Sequence, residues 1–120
     1  MNDLYARLAK AFEHIEQTWR AHDDFRHPGE IEVCGKIVKW GRFDGAWSIV
    51  VDTGSGGFTP IAAAARHIRV ETALRIDALG IAIDTSRDAF TERLAQAVAE
   101  LEEYVMCLHT DDAENQETEG

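Results

Sequence analysis

The sequence predicts an α+β fold, and three observations carry that prediction. The stretch Glu30–Thr53, EIEVCGKIVKWGRFDGAWSIVVDT, holds two runs rich in Val, Ile and Trp on either side of Asp44-Gly45, a dipeptide that is among the strongest local signals for a β-hairpin. Ahead of it, Leu4, Leu8, Phe12, Ile15 and Trp19 recur at spacings of four, four, three and four, an apolar stripe with the helical period. Behind it, Phe90, Leu94, Val98, Leu101, Val105 and Leu108 recur at spacings of four, four, three, four and three. The expected architecture is a long N-terminal helix, a β-hairpin with a further short edge strand, and two or three C-terminal helices packed on the sheet.

In chain order, the first stripe defines a helix from about Asn2 to His22, with Asn2 or Asp3 able to cap it. Asp23–Gly29 reads as a loop, because Pro28-Gly29 stops helical structure and turns the chain into the first strand. For the hairpin, a three-residue loop of Phe43, Asp44 and Gly45 sets Ile37 opposite Val51 and Gly41 opposite Trp47. That register gathers Ile31, Val33, Ile37, Trp47, Ile49 and Val51 on one face and leaves Val38, Trp40 and Val50 on the other. A two-residue turn at Asp44-Gly45 would pair Trp40 and Val38 with Ile49 and Val51 and divide the apolar set.

Gly54, Ser55, Gly56 and Gly57 form a flexible connection, after which Phe58-Thr59-Pro60-Ile61 suits an edge strand with Pro60 on its unpaired side. Ala62–Ile76 is rich in helix formers, with Ala65, Ile68, Thr72, Ile76 and Leu79 on one stripe and Glu71 placed to pair with Arg75. Asp77 opens a short helical piece to about Ile83 that is weakened at Gly80. Thr85-Ser86 then offers an N-cap to a long helix over Arg87–His109, expected to lie on the sheet beside the first helix. Residues 111–120 have no apolar residue larger than Ala113 and read as a disordered acidic tail behind a single domain, residues 1–110.

Composition narrows the function classes. The chain of 120 residues has a net charge of −10, and residues 111–120 hold five of the 22 acids and none of the 12 bases. Such a surface repels phosphate backbones, so a direct nucleic-acid ligand is not expected, whereas a basic protein surface is a fitting partner. No apolar run approaches the roughly 20 residues that span a bilayer, so no membrane partner is expected. Cys34 and Cys107 lie far apart, without a CxxC or an N-terminal secretory segment, which suggests a reducing cytoplasm. Both read as small, buried or half-buried side chains with no activating partner.

Several stretches resemble sites of known chemistry. Val50-Val51-Asp52-Thr53-Gly54-Ser55 is similar to the active-site sequence of aspartic proteases, two apolar residues and then Asp-Thr-Gly-Ser at a strand end. The resemblance covers six residues and implies Asp52 as a catalytic carboxylate, with a second copy supplied by a dimer partner or another lobe. Those proteases are nearly all β, and Gly56-Gly57 followed by a helix departs from their pattern. The Gly54–Gly57 loop lacks the spacings of the phosphate-binding and dinucleotide fingerprints, and no cofactor is expected. His22, Asp23, Asp24 and His27 put two imidazoles and two carboxylates within six residues, ligand types that suit Zn²⁺ or Fe²⁺, though no spacing supplies a third ligand. His14 and His67 read as solvated, and no GxSxG elbow is present.

With no constellation specifying a reaction, the sequence points to a small acidic non-enzymatic protein-binding module. An inhibitor or accessory subunit acting on a basic, nucleic-acid-handling protein fits, such as a phage or mobile-element anti-defence inhibitor. The alternative is a hydrolase that uses Asp52 or a metal at His22, Asp23, Asp24 and His27. The expected binding or self-association patch is Trp40, Arg42 and Phe43, three residues at one turn, of types enriched among interface hot spots or able to anchor there.

Overall fold

The computed structural model describes the backbone of residues 2–119 and the side chains of residues 3–109. The chain forms two compact units, Met1–Arg87 and Asp88–Gly120. The first contains helix α1 (Asn2–Ala21), a 3-10 turn at Asp23–Phe25, strands β1 (Gly29–Val33), β2 (Lys36–Phe43), β3 (Ala46–Asp52) and β4 (Phe58–Pro60), a 3-10 turn at Ile61–Ala63 and helix α2 (Arg66–Leu74). Helix α3 (Ile76–Glu119) starts in the first unit, and its remainder is the second. The expectation for the acidic tail falls on residues 111–120, whose side chains lie outside the described residues. Among the described residues, no helix is long and apolar enough to cross a membrane.

The α+β architecture is as expected, but the sheet is an antiparallel meander of four strands in the order β1-β2-β3-β4. Its register corrects the sequence reading. Phe43 pairs with Ala46, Arg42 with Trp47, Trp40 with Ile49 and Val38 with Val51, so Asp44-Gly45 is a two-residue turn. Both turn residues have positive φ, 50° and 81°, the conformation whose twist matches a hairpin and which an Asp-Gly pair adopts at little cost.

The physical reason for the correction is a second turn hidden inside the first apolar run. Cys34 and Gly35 also have positive φ, 52° and 76°, and they connect β1 to β2 with Val33 paired to Lys36 and Ile31 to Val38. The run from Glu30 to Arg42 is thus two strands and not one. Folding it back at Cys34-Gly35 returns Ile31 and Val33 to the face of Val38 and Trp40, so the two-residue turn at Asp44-Gly45 gathers the apolar set. Cys34, expected to be at least half-buried, is exposed in this turn.

One face of the sheet therefore presents Ile31, Val33, Val38, Trp40, Trp47, Ile49 and Val51. Phe12 of α1, Ile61, Ile68 of α2, and Leu79 and Ile83 of α3 complete the buried cluster, with Leu8, Ile15, Trp19, Phe25 and Ile76 against it. Trp40 lies at its centre with 0% exposure. Its ring meets Trp19 edge-on at 5.1 Å and Trp47 at 5.9 Å, and Trp19 stacks on Phe25 at 5.1 Å. Its indole N–H donates to the Phe25 carbonyl at 2.7 Å, giving the polar end of a buried Trp its partner. Gly29 admits α3 to the sheet, since a Cβ there would fall 2.7 Å from Ile83 Cγ1 and 2.8 Å from the Ile83 nitrogen.

The helices differ from expectation in two places. The chain from Ile61 to Ala63 makes a 3-10 turn, so α2 begins at Arg66 and not at Ala62. Arg75, expected to pair with Glu71, donates instead to the Glu32 carbonyl of β1. Further on, α3 runs through Gly80 and Thr85-Ser86 without a break. The Thr85 hydroxyl, expected to cap a new helix, donates to the Ile81 carbonyl at 3.0 Å, the i−4 bond that a Thr makes inside a helix.

The second unit is the larger departure. The stripe Phe90, Leu94, Val98, Leu101, Val105 and Leu108 was expected in the core, yet every described residue from Asp88 to His109 is exposed, Leu94 at 52%. Substitution separates the two environments. Trp40→Ala should lower the unfolding free energy by about 3–5 kcal/mol, the range for removing a buried large aromatic side chain, as read by urea denaturation. A loss below about 1 kcal/mol, typical of surface positions, would show that Trp40 is not the centre of the core.

Candidate functional site

The sheet register divides the expected patch. Trp40 is in the core, which removes it as a contact residue; Arg42, exposed, shares its side of β2 at the open end beside Trp47; Phe43 points to the opposite, outer face. The three do not form one surface, because neighbours along a strand alternate between faces. Phe43 alone is carried into a candidate site.

That site is built on the outer face by the same pairing that builds the core on the inner one. Lys39, Gly41 and Phe43 of β2, Ala46, Ser48 and Val50 of β3, and Phe58 and Pro60 of β4 share it. Phe43 and Phe58 come from strands that flank β3, and their rings meet at 5.1 Å with a 45° tilt. Gly41 lies beneath Phe43, where a Cβ would fall 3.0 Å from the ring. Lys39 Nζ sits 5.1 Å from the Phe58 ring centroid. Val50 is buried although it lies outside the main core cluster. A groove of about 530 Å³ runs beside this pair, lined by Phe43, Asp44, Ala46, Ser48, Val50, Phe58 and Pro60, with Glu16 and Arg20 of α1 at its side.

Helix α1 closes the strand edge there with side chains. β4 pairs only with Val50–Asp52, so among the described residues the start of β3 is paired with β2 on one side and has no strand on the other. Arg20 Nε donates to the Trp47 carbonyl at 2.6 Å, and the Ile49 N–H donates to Glu16 Oε2 at 3.0 Å. Arg20 and Glu16 also pair with each other at 3.5 Å. Charged groups on an otherwise open edge prevent another strand from adding to it. The groove therefore presents side chains at this edge, not a free backbone ladder.

The Asp52 stretch is occupied with its own turn. Asp52 Oδ1 accepts from the Gly54 N–H at 2.8 Å, the Thr53 N–H donates to the Gly57 carbonyl at 3.0 Å, and the Thr53 and Ser55 hydroxyls lie 3.0 Å apart. Of the histidine cluster, Asp23 faces Arg26 at 3.4 Å and Asp24 faces Arg87 at 3.7 Å. The His22 ring sits 6.4 Å from that of Phe25. Among the described residues, no group of three or more His, Cys, Asp or Glu side chains could hold a metal ion. Comparison with protein-family models, curated proteins and solved structures finds no match.

Phe58, Val50 and Pro60 were not singled out as site residues from sequence. In the sequence Phe58 is only a residue two places before a proline in an edge strand; its pairing with Asp52 is what puts it on the face of Val50. The expected energetic role of the α1 contacts can be measured. Glu16→Ala leaves the Ile49 N–H without its acceptor and should cost about 1–3 kcal/mol of stability, with Glu16→Gln losing less. Equal and negligible losses, seen by chemical denaturation, would mean that water replaces the carboxylate and α1 does not secure this edge.

Proposed function

We propose that the protein is a non-enzymatic binding module that engages another protein through the outer face of its sheet. The observation that carries this reading is the Phe43–Phe58 pair beside an open groove floored by Ser48 and Val50. Phe58 keeps 41% of its surface exposed, and an aromatic pair rimmed by polar groups is the usual make-up of an interface centre. The groove has apolar walls for an aliphatic or aromatic anchor of the partner.

The charges around the groove support a basic partner. Glu30, Glu32 and Asp52 lie on the outer face and Asp44 and Glu16 border it, against Lys39 and Arg20. In a chain of net charge −10, this distribution steers a positively charged protein towards the face and sets register more than affinity. An inhibitor or accessory subunit of a nucleic-acid-handling protein is the proposed role within that class, since such proteins present basic grooves.

The test compares partner capture from host lysate by the wild-type chain with capture by Phe58→Ala and Phe43→Ala, followed by calorimetry with the purified partner. Phe58→Ala should weaken binding by about 2 kcal/mol or more, as hot-spot truncations do, while Tm stays within a few degrees. A partner held equally well by both variants would place the binding surface elsewhere.

A further inference from the structure

We propose that the second unit is a self-association helix: a second copy of the chain pairs with it along Leu94, Val98, Leu101, Val105 and Leu108 to make a homodimer. These five side chains follow each other at spacings of four, three, four and three, the alternation of d and a positions in a heptad. Val occupies both a positions and Leu all three d positions, the division of β-branched and γ-branched side chains that favours two strands. Tyr104 and Ala97 border the seam on one side, Ala95 and Glu102 on the other.

The exposed area matches what such a dimer needs. The five residues and Tyr104 are each between 45% and 65% exposed, and together they leave on the order of 600 Å² of largely apolar surface per chain, so that two copies cover about 1,200 Å², the lower end of stable specific interfaces. An isolated helix gains little stability from its own hydrogen bonds and depends on an apolar face being covered. The seam supplies that face.

The charges select a copy of the chain over other occupants. Glu92, Arg93, Glu100 and Glu103 fall at heptad positions b, c, c and f, away from the seam, and Glu102 is the one fully charged residue bordering it between Leu94 and Leu108. In a parallel pair Glu102 sits opposite Ala97 of the other copy, so no like charges meet. A bilayer is a poor occupant, because the polar face of Asp88–His109 carries five acids against a single Arg, and anionic headgroups repel it. A charged partner helix would find no complementary row beside the seam.

Light scattering of the full chain across the micromolar range tests this. The wild-type mass should rise with concentration towards twice the 13.4 kDa of one chain. Leu101→Glu and Val98→Lys should hold it at the single-chain mass, with the near-ultraviolet tryptophan signal unchanged, since all three Trp residues lie in the first unit. Glu103→Lys, on the far side of the helix, should remain dimeric. A wild-type chain that stays monomeric at the highest concentration overturns the proposal, whether or not it then binds vesicles. So does a Leu101→Glu variant that associates like wild type. Phe58→Ala should dimerise normally; loss of the dimer there would make the outer-face groove the interface and overturn the assignment to the helix.

Discussion

Two tight turns constrain the rest of this structure. Asp44-Gly45 and Cys34-Gly35 each put two consecutive residues at positive φ, and each joins two strands with no intervening loop residue to spare. Because side chains alternate with a period of two, such a turn fixes which face every later residue occupies. A slip by one residue at Asp44-Gly45 would carry Val38 and Trp40 off the face of Ile49 and Val51. The turns therefore decide both what is buried and what is shown.

From that register follow the core and the groove together. On the inner face, Trp40 receives Trp19 and Phe25 from the α1 side and Trp47 from its own sheet, and α2 and the start of α3 add Ile68, Leu79 and Ile83. On the outer face, the same pairings bring Phe43 and Phe58 together across β3 and leave Ser48 and Val50 between the flanking strands. Glu16 and Arg20 connect the two sides: they belong to a core-packed helix yet border the groove and occupy the unpaired edge of β3. The outer face is thus held by groups whose own positions are set in the core.

Local signals were legible in the sequence and long-range ones were not. The stripes of α1 and α2, the hairpin at Asp44-Gly45 and an edge strand at Phe58–Pro60 all follow from period and turn chemistry, and Phe12, Ile68 and Leu79 are buried as their stripes require. The turn at Cys34-Gly35 is hidden in the sequence because Cys rarely adopts positive φ and the apolar run reads through it. That one hidden turn reverses the register preference and puts Trp40 on the wrong face, so the expected Trp40, Arg42 and Phe43 patch keeps only Phe43 in the site. The stripe from Leu94 to Leu108 looks like core in the sequence because periodicity reports that a face is apolar, not what covers it. Of the candidate site, Phe43 is legible in the sequence and Phe58 is not, since their meeting depends on a register that spans three strands.

The central claim is that the two turns place Trp40 inward, and hydrogen exchange at the tryptophan indoles tests it most directly. The three indole N–H signals, from Trp19, Trp40 and Trp47, are resolvable by NMR in one spectrum. Trp40, buried and donating to the Phe25 carbonyl, should exchange only through global unfolding, well behind the half-buried Trp19 and Trp47. A Trp40 indole that exchanges as fast as the other two would contradict the register and, with it, the assignment of the core and outer faces.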